Sequence, residues 1–307
     1  MRKRGTFGLA LVAAIAIWLV ASPVAAITKN FVDDFEHPFV GLIVFYVADD
    51  GDVTDDNDDP DFSHRCSGSL LSPTVFLTAG HCTFSDPDNP EEFPELVGFR
   101  IYFQQGAGAN YDPETQLDPV TGYPEYCATG TLGVTCATGT QIYTLPGYDN
   151  FAGWPVERNT HDAGIVILDQ PIALSEYGQL AEPGTLDSLY AARGIQDAIF
   201  TASGYGTTYE SPVAFVSFRE RLMATQTLVN VKAGIGGGFN LQTSGNGAGK
   251  GGTCSGDSGG PVFLGDTTSN LIVGVTSYGL NEWCRGTDFA YRTDTEAVYD
   301  WIVSFLD

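Results

Sequence analysis

Cys254 to Pro261 reads Cys-Ser-Gly-Asp-Ser-Gly-Gly-Pro, an octet that places glycines on both sides of Ser258. Glycine lets the backbone turn sharply, so a bend of this composition exposes a serine hydroxyl together with main-chain N–H groups. A serine attacks a carbonyl only beside a general base, and acyl transfer also needs donors for the developing oxyanion. The octet therefore predicts a nucleophile, Ser258, with the N–H groups of Gly256 and Ser258 as the oxyanion hole.

Two upstream segments supply candidate partners for this serine. Leu-Thr-Ala-Gly-His-Cys ends at Cys82 and makes His81 the candidate base. His-Asp-Ala-Gly-Ile-Val-Ile-Leu begins at residue 161 and makes Asp162 the candidate acid that orients the base. An aspartate before an apolar run can also simply end a strand, and Asp149 is the alternative acid. The order His81, Asp162, Ser258 is that of the chymotrypsin group, not of subtilisins or α/β-hydrolases.

These three motifs resemble those of the chymotrypsin/trypsin-like serine proteases, in a secreted, bacterial-type form. The one departure within the histidine motif is Gly80, where a second alanine is common. The resemblance implies an all-β fold of two packed six-stranded antiparallel β-barrels with a C-terminal α-helix. It also implies a serine endopeptidase that works through a Ser-His-Asp triad and an acyl-enzyme. A catalytically silent secreted binding module on the same fold, and an esterase without proteolysis, remain as alternatives.

The resemblance also locates a specificity pocket. It puts Gly252 at the floor, six residues before the nucleophile, and Phe289 on one wall, while Ser277 helps to hold Asp162. The floor then carries no acid, so a preference for arginine or lysine is not expected. Phe289 would fill the pocket and favour small apolar side chains, whereas medium or aromatic side chains would fit if its loop is offset. The substrate-binding residues implied in this way are Gly252, Thr253, Ser277, Tyr278, Gly279 and Phe289.

The chain contains six cysteines, an even number that favours disulfides in an oxidising compartment. The resemblance pairs Cys66 with Cys82 and Cys254 with Cys284. The other two, Cys127 and Cys136, lie in one turn-rich stretch and are expected to staple a hairpin to itself.

The N-terminus has the three parts of a signal peptide. A basic start at residues 2–4 precedes an apolar run at 7–20 and a small-residue stretch at 21–26. The run is short for a membrane span, although an uncleaved anchor is the alternative. Cleavage is predicted between Ala26 and Ile27, which makes the product secreted and extracellular.

The resemblance gives the predicted new terminus a role in the active site. The resemblance implies that an aliphatic amino terminus buries itself against the acid beside the nucleophile and thereby shapes the oxyanion hole. Here those groups would be Ile27 and Asp257, although the two glycines that usually follow the aliphatic pair are missing.

The net charge of the chain limits the classes of partner that it is expected to bind. The 38 acidic residues against 14 basic ones give a formal net charge of −24, which repels nucleic acid and anionic membrane surfaces. Protein or peptide substrates are the expected partners, with no stable membrane association after signal cleavage and no indication of oligomeric state. No metal or cofactor is required. The acidic run from Asp49 to Asp61 has the oxygen ligands that Ca²⁺ prefers, although a solvated charge run is the favoured interpretation.

The rest of the sequence predicts the domain organisation and the approximate positions of strands and helices. After the signal peptide (1–26), one protease domain (27–307) is expected, with barrels at about 27–170 and 171–307. Apolar, β-branched runs predict strands at 40–47, 165–168, 215–218 and 271–277, and helical spacing predicts helices at 186–192 and 295–306. Residues 49–61 and 85–141 are predicted to be surface insertions, and residues 234–252 a glycine-rich flexible loop.

Overall fold

The structure is a computed structural model that describes residues 27–48, 61–107, 136–190, 197–211, 214–216, 219–232, 234–281 and 283–306. The predicted signal peptide, all of the acidic run except Asp61, and Cys127 lie outside these residues. Cys136 is disulfide-bonded, and its predicted partner is among the residues outside the description.

The described residues form mostly β-strands with few helices. The strands are β1 (Val32–Asp33), β2 (Val40–Val47), β3 (Asp61–Leu70), β4 (Val75–Thr78), β5 (Leu96–Tyr102), β6 (Cys136–Gly139), β7 (Gln141–Thr144), β8 (Gly164–Ile167), β9 (Gln179–Leu180), β10 (Ile199–Gly204), β11 (Tyr209–Ser211), β12 (Ala214–Val216), β13 (Leu222–Asn230), β14 (Asn240–Ser244), β15 (Pro261–Leu264), β16 (Leu271–Gly279) and β17 (Thr287–Arg292). The α-helices are α1 (Gly80–Thr83) and α2 (Glu296–Val303), and 3-10 helices cover Thr185–Tyr190 and Gly234–Gly236.

The strands build two barrels, as expected. The first is nearly closed and has the strand order β6-β5-β2-β3-β4-β8-β7, so it contains seven strands rather than the six expected. The second is a closed barrel of six strands, β13-β10-β15-β16-β17-β14, because β14 pairs back onto β13. β1 and β9 extend the second sheet, and β11 and β12 form a separate hairpin.

Two segments predicted as loops contribute barrel strands instead. β5 lies within the stretch expected to be a surface insertion, yet it pairs with β2 along its length, and Phe99, Ile101 and Tyr102 are buried. β14 lies within the expected flexible loop, yet it pairs with both β13 and β17. The free energy gained by burying their apolar side chains in the barrels outweighs the turn propensity of the residues that flank both strands.

The first and last described segments pack on opposite barrels. Ile27 is buried in the core of the second barrel, and β1 pairs with β13, so the first residues after the predicted cleavage point do not belong to the first barrel. At the other end, Val298 and Ile302 of α2 are buried in the core cluster that is built mainly from the first barrel. No helix of the described residues has both the length and the apolar character needed to cross a membrane.

Candidate active site

His81 sits on a short turn that strand pairing brings beside Asp162. α1 follows β4 directly, and β4 pairs antiparallel with β8 so that Thr78 lies opposite Gly164. Because β8 begins two residues after Asp162, this register places the acid next to the turn. A disulfide between Cys66 and Cys82 ties the turn to β3.

The carboxylate of Asp162 is fully buried and holds His81 at two points. Its Oδ2 and Oδ1 lie 3.0 and 3.1 Å from His81 Nδ1, and Oδ1 also accepts the His81 backbone N–H at 2.7 Å. The hydroxyl of Ser277 donates to Oδ2. These bonds favour the tautomer with the proton on Nδ1, which leaves Nε2 as the base. The imidazole stays reachable, since the His81 side chain is 22% exposed.

The charge of Asp162 controls the titration of His81. Burial by itself lowers the pKa of an imidazole, but the adjacent carboxylate outweighs it through its charge and its hydrogen bond, and the pKa of His81 is raised above 6.5. A base must be unprotonated to accept a proton, so a raised pKa moves the active form to higher pH.

We expect the acid limb of kcat/KM against pH to have its midpoint above 6.5. Peptide hydrolysis measured from pH 5 to 9 would give this midpoint for the free enzyme. Burial lowers the pKa of the nearby His64 below 6.5, so the two histidines are expected to titrate on opposite sides of that value. A midpoint below 6.5 would contradict the assignment of His81 as the base.

The loop that carries Ser258 packs against the His81 turn at Gly259. A Cβ at Gly259 would lie 2.1 Å from Thr78 Oγ1 and 2.6 Å from the backbone nitrogen of Ala79, so the two loops approach as closely as glycine allows. Gly259 also has φ +77°, a conformation that side chains disfavour. The Ser67 N–H donates to the Ser258 carbonyl at 2.7 Å and fixes the other side of the loop.

Ser258 is half-buried, and its Oγ makes no hydrogen bond with the described residues. Catalytic hydrogen bonds are often long until substrate binds, so this is compatible with a nucleophile. Among the described residues, the N–H groups of Gly256 and Ser258 also have no acceptor, which leaves both for an oxyanion. Gly256 takes φ +94°, and its carbonyl accepts the Ser67 hydroxyl at 2.8 Å.

Asp257 belongs to the loop that carries Ser258 and lies fully buried against the second barrel. Its carboxylate accepts N–H bonds from Gly206 at 2.8 Å and Cys254 at 2.9 Å. Burial outweighs these bonds and raises the pKa of Asp257 to about 7. Nearby, Thr28 and Gly252 exchange two backbone hydrogen bonds of 2.9 Å, and the Ile27 side chain has no exposed surface.

A cavity of about 230 Å³ opens beside Ser258. The Cys254–Cys284 disulfide joins two of its borders. The cavity therefore opens directly next to the candidate nucleophile. Its lining residues are Thr253, Cys254, Ser255, Ser258, Thr276, Ser277, Tyr278, Gly279, Asn281, Cys284, Arg285, Thr287 and Asp288.

The cavity contains an acid that the assignment of its floor to the uncharged Gly252 did not predict. Asp288 lines the cavity, and its Oδ2 lies 3.0 Å from the position of a Cβ on Gly252. Phe289, which was expected on the wall, is not among the lining residues; its ring stacks on Tyr278 with centroids 4.6 Å apart. The signal in the sequence was a lone acid inside an otherwise uncharged run of strand residues, Thr287 to Tyr291.

An aromatic cluster beside His81 was not predicted. The Phe151 ring lies 6.1 Å from the His81 ring and 5.7 Å from that of Tyr278, and Tyr148 and Trp154 pack onto the same group. The short interval that holds three aromatic residues, 148–154, was the available signal. These rings give the cleft an apolar wall on the histidine side.

One cluster of metal-type ligands occurs in the described residues, and it does not suit a metal. Ligand atoms of Cys66, His81 and Cys82 lie within 4.8 Å of one another. Both sulfurs are used in the disulfide, and metals bind thiolates. The possible Ca²⁺ ligands of the acidic run lie outside the described residues, apart from Asp61.

In comparisons with known proteins, this chain is similar to serine proteases. Residues 134–302 match the protein family described as Trypsin. Serine protease 7 of Drosophila melanogaster is 27% identical over 259 residues, and the match covers 78% of this chain and 57% of that protein. Hypodermin-B of Hypoderma lineatum is 25% identical over 247 residues, covering 78% of this chain and 77% of that protein.

A third relative and a solved structure agree with this result. CLIP domain-containing serine protease B10 of Anopheles gambiae is 25% identical over 251 residues, covering 78% of this chain and 60% of that protein. The chain thus spans less than two thirds of the length of two of these three relatives. All three come from insects and give no support to a bacterial-type form. The structure of HL collagenase has a TM-score of 0.55 with 16% identity, covers 88% of this chain and 93% of its own, and shows the fold alone.

Proposed function

The chain belongs to the trypsin family of serine proteases, and on that premise we propose that it is a secreted serine endopeptidase with His81, Asp162 and Ser258 as its catalytic triad. The observation that carries this proposal is the buried Asp162 carboxylate, which binds His81 while Gly259 packs the nucleophile loop against the same turn. The disulfides and the acidic charge fit an exported protein that acts on proteins or peptides rather than on nucleic acid.

Each group has one task in this mechanism. His81 Nε2 takes the proton of the Ser258 hydroxyl as Oγ attacks the peptide carbonyl carbon, and Asp162 stabilises the charged imidazole. The N–H groups of Gly256 and Ser258 donate to the oxyanion. His81 then gives the proton to the amine as the peptide C–N bond breaks, which leaves an ester on Ser258. Water, activated by the same base, hydrolyses this ester to a free carboxylic acid and restores the Ser258 hydroxyl.

Labelling with a fluorophosphonate, read by intact mass, tests the proposal. Incorporation requires an activated serine and an oxyanion hole, so we expect one label on the wild-type protein and none on Ser258→Ala. The same spectrum reports the mature N-terminus. A folded protein that begins at Ile27 and takes no label would instead be a silent binding module. Hydrolysis of a peptide amide, rather than of an ester alone, separates the endopeptidase from an esterase.

The mature amino terminus is proposed to be Ile27, with its ammonium group paired to Asp257. The buried Ile27 side chain and the hydrogen bonds between Thr28 and Gly252 support this, because they already hold the segment against the second barrel. A buried carboxyl whose pKa stands at about 7 gains most from a neighbouring cation. Signal cleavage alone would then produce the active form.

We expect one additional residue before Ile27 to lower kcat/KM about 100-fold, the size of effect seen when one oxyanion donor is lost. The extension moves the ammonium group away from Asp257 and leaves that carboxyl without its cation. Removal of the extra residue with an aminopeptidase should restore activity in the same preparation. Full activity of the extended chain would refute the ion pair.

A further inference from the structure

Among the described residues, one carboxylate lines the cavity beside Ser258, and glycine makes room for it. Asp288 is 8% exposed and lies on β17, opposite Gly279 of β16. A side chain at Gly252 would meet Asp288 Oδ2 at 3.0 Å, so the acid occupies the space that the missing side chain leaves. The floor residue six positions before the nucleophile is uncharged, yet the floor itself carries a potential negative charge.

One oxygen of this carboxylate is held and the other is left for a ligand. Oδ2 accepts the Gln226 side-chain amide at 2.7 Å and the Thr253 N–H at 3.0 Å. No donor among the described residues bonds to Oδ1, and no cation there forms an ion pair with Asp288. A buried carboxylate of this kind is stabilised by a cation that enters the cavity and donates to the second oxygen.

We propose that Asp288 makes this cavity a cation-binding subsite, so that the enzyme cleaves after lysine or arginine. This inference rests on the proposed function for its catalytic step, but cation binding itself does not require catalysis. It reverses the expectation from Gly252 that arginine and lysine are not preferred, because the carboxylate lies on β17 rather than on the segment that precedes Ser258.

The groups around Asp288 determine the pH range in which its carboxylate is ionised. Asp257 lies behind it on the nucleophile segment, Arg285 is exposed where it lines the same cavity, and Lys29 lines the small space on the far side. Burial, partly offset by the bonds from Thr253 and Gln226, raises the pKa of Asp288 to about 7. The carboxyl is therefore largely ionised at pH 8.5 and largely protonated at pH 6.

The first test compares peptides that differ only in the residue before the cleaved bond, arginine or lysine against leucine. At pH 8.5 we expect the wild-type enzyme to prefer the cationic peptides, and Asp288→Asn to lower that kcat/KM ratio at least about 30-fold, as for loss of one member of a buried charge pair. Asparagine can still accept the bonds from Gln226 and Thr253. Asp300→Asn, an exposed acid on α2, is the matched control and should keep the ratio. An unchanged ratio in Asp288→Asn would overturn the proposal.

The second test needs no catalysis and so separates this inference from the proposed function. Binding of p-aminobenzamidine, a cationic arylamidine, is followed by fluorescence in Ser258→Ala and in Ser258→Ala/Asp288→Asn. We expect binding to weaken at least about 30-fold in the double variant at pH 8.5, and the difference between the two to shrink towards pH 6 as the carboxyl is protonated. Equal binding, or a difference that does not shrink, would overturn the role of an ionised Asp288. Failure of fluorophosphonate labelling with amidine binding intact would refute the catalytic proposal alone.

Discussion

Asp162→Asn should lower kcat about 10,000-fold, a loss typical of a Ser-His-Asp triad deprived of its acid. The Asp162 carboxylate accepts from His81 Nδ1, the His81 backbone and the Ser277 hydroxyl, and it has no exposed surface. An amide at this position presents a donor as well as an acceptor and removes the charge that stabilises the imidazolium. The imidazole would then shift to the tautomer that carries the proton on Nε2, where a base is needed. Steady-state hydrolysis of a peptide amide measures the loss.

Asp149→Asn is the matched control for this prediction. Asp149 was the alternative acid, and it is exposed, with its Oδ2 accepting the Gly153 N–H at 3.0 Å. We expect this variant to keep kcat within about threefold, as for an ordinary surface change. Equal losses in the two variants would mean that the kinetic effect reflects lost acidic charge rather than orientation of His81. Circular dichroism and thermal unfolding would show that both variants fold.

The candidate triad could be named from sequence because each member lies in a short local motif. The octet around Ser258 carries its own turn chemistry, and His81 and Asp162 flank the ends of paired strands, so their meeting depends on only one register, that of β4 with β8. The two-barrel architecture followed from the same family resemblance. Nothing in the described residues changes the identity of these three candidates.

The lining of the cavity beside Ser258 could not be predicted in the same way, because it depends on a strand register that counting along the chain does not give. The pairing of β16 with β17 shifts between Thr276 and Tyr278, so that Tyr278 lies opposite Phe289 and Gly279 opposite Asp288. In a strand, a one-residue offset exchanges the two faces. Counting back from Tyr291 therefore assigned the wall to Phe289, whereas Asp288 lines the cavity. The register shift is a property of the assembled barrel.

The misassigned barrel strands have a different cause. β5 is mostly apolar, but it lies between turn-rich stretches whose composition predicts a loop. β14 follows a run of three glycines and precedes a second glycine-rich stretch. In both cases pairing with partners distant in the chain decides the structure, and local propensity cannot report such contacts.

The largest stability effect is expected from Gly259→Ala, which should lower the free energy of unfolding by about 2 to 5 kcal/mol, from backbone strain of about 1 to 2 kcal/mol and overpacking of about 1 to 3 kcal/mol. The added Cβ would lie 2.1 Å from Thr78 Oγ1 and 2.6 Å from the Ser67 carbonyl oxygen, in addition to Ala79. The surrounding backbone belongs to β3 and to the residue that follows β4, so it cannot move aside without disturbing the first barrel. Denaturant unfolding in a Ser258→Ala background measures the effect without self-digestion.

Gly249→Ala separates strain from crowding. Gly249 has φ +72°, close to the +77° of Gly259, but a Cβ there would meet nothing within 4 Å. We expect this control to cost only the strain of about 1 to 2 kcal/mol. Its difference from Gly259→Ala then measures how tightly the nucleophile loop packs against the His81 turn, the contact on which the proposed mechanism depends. Equal costs would mean that the two loops lie further apart, and the geometry that brings Ser258 to His81 would lose its main support.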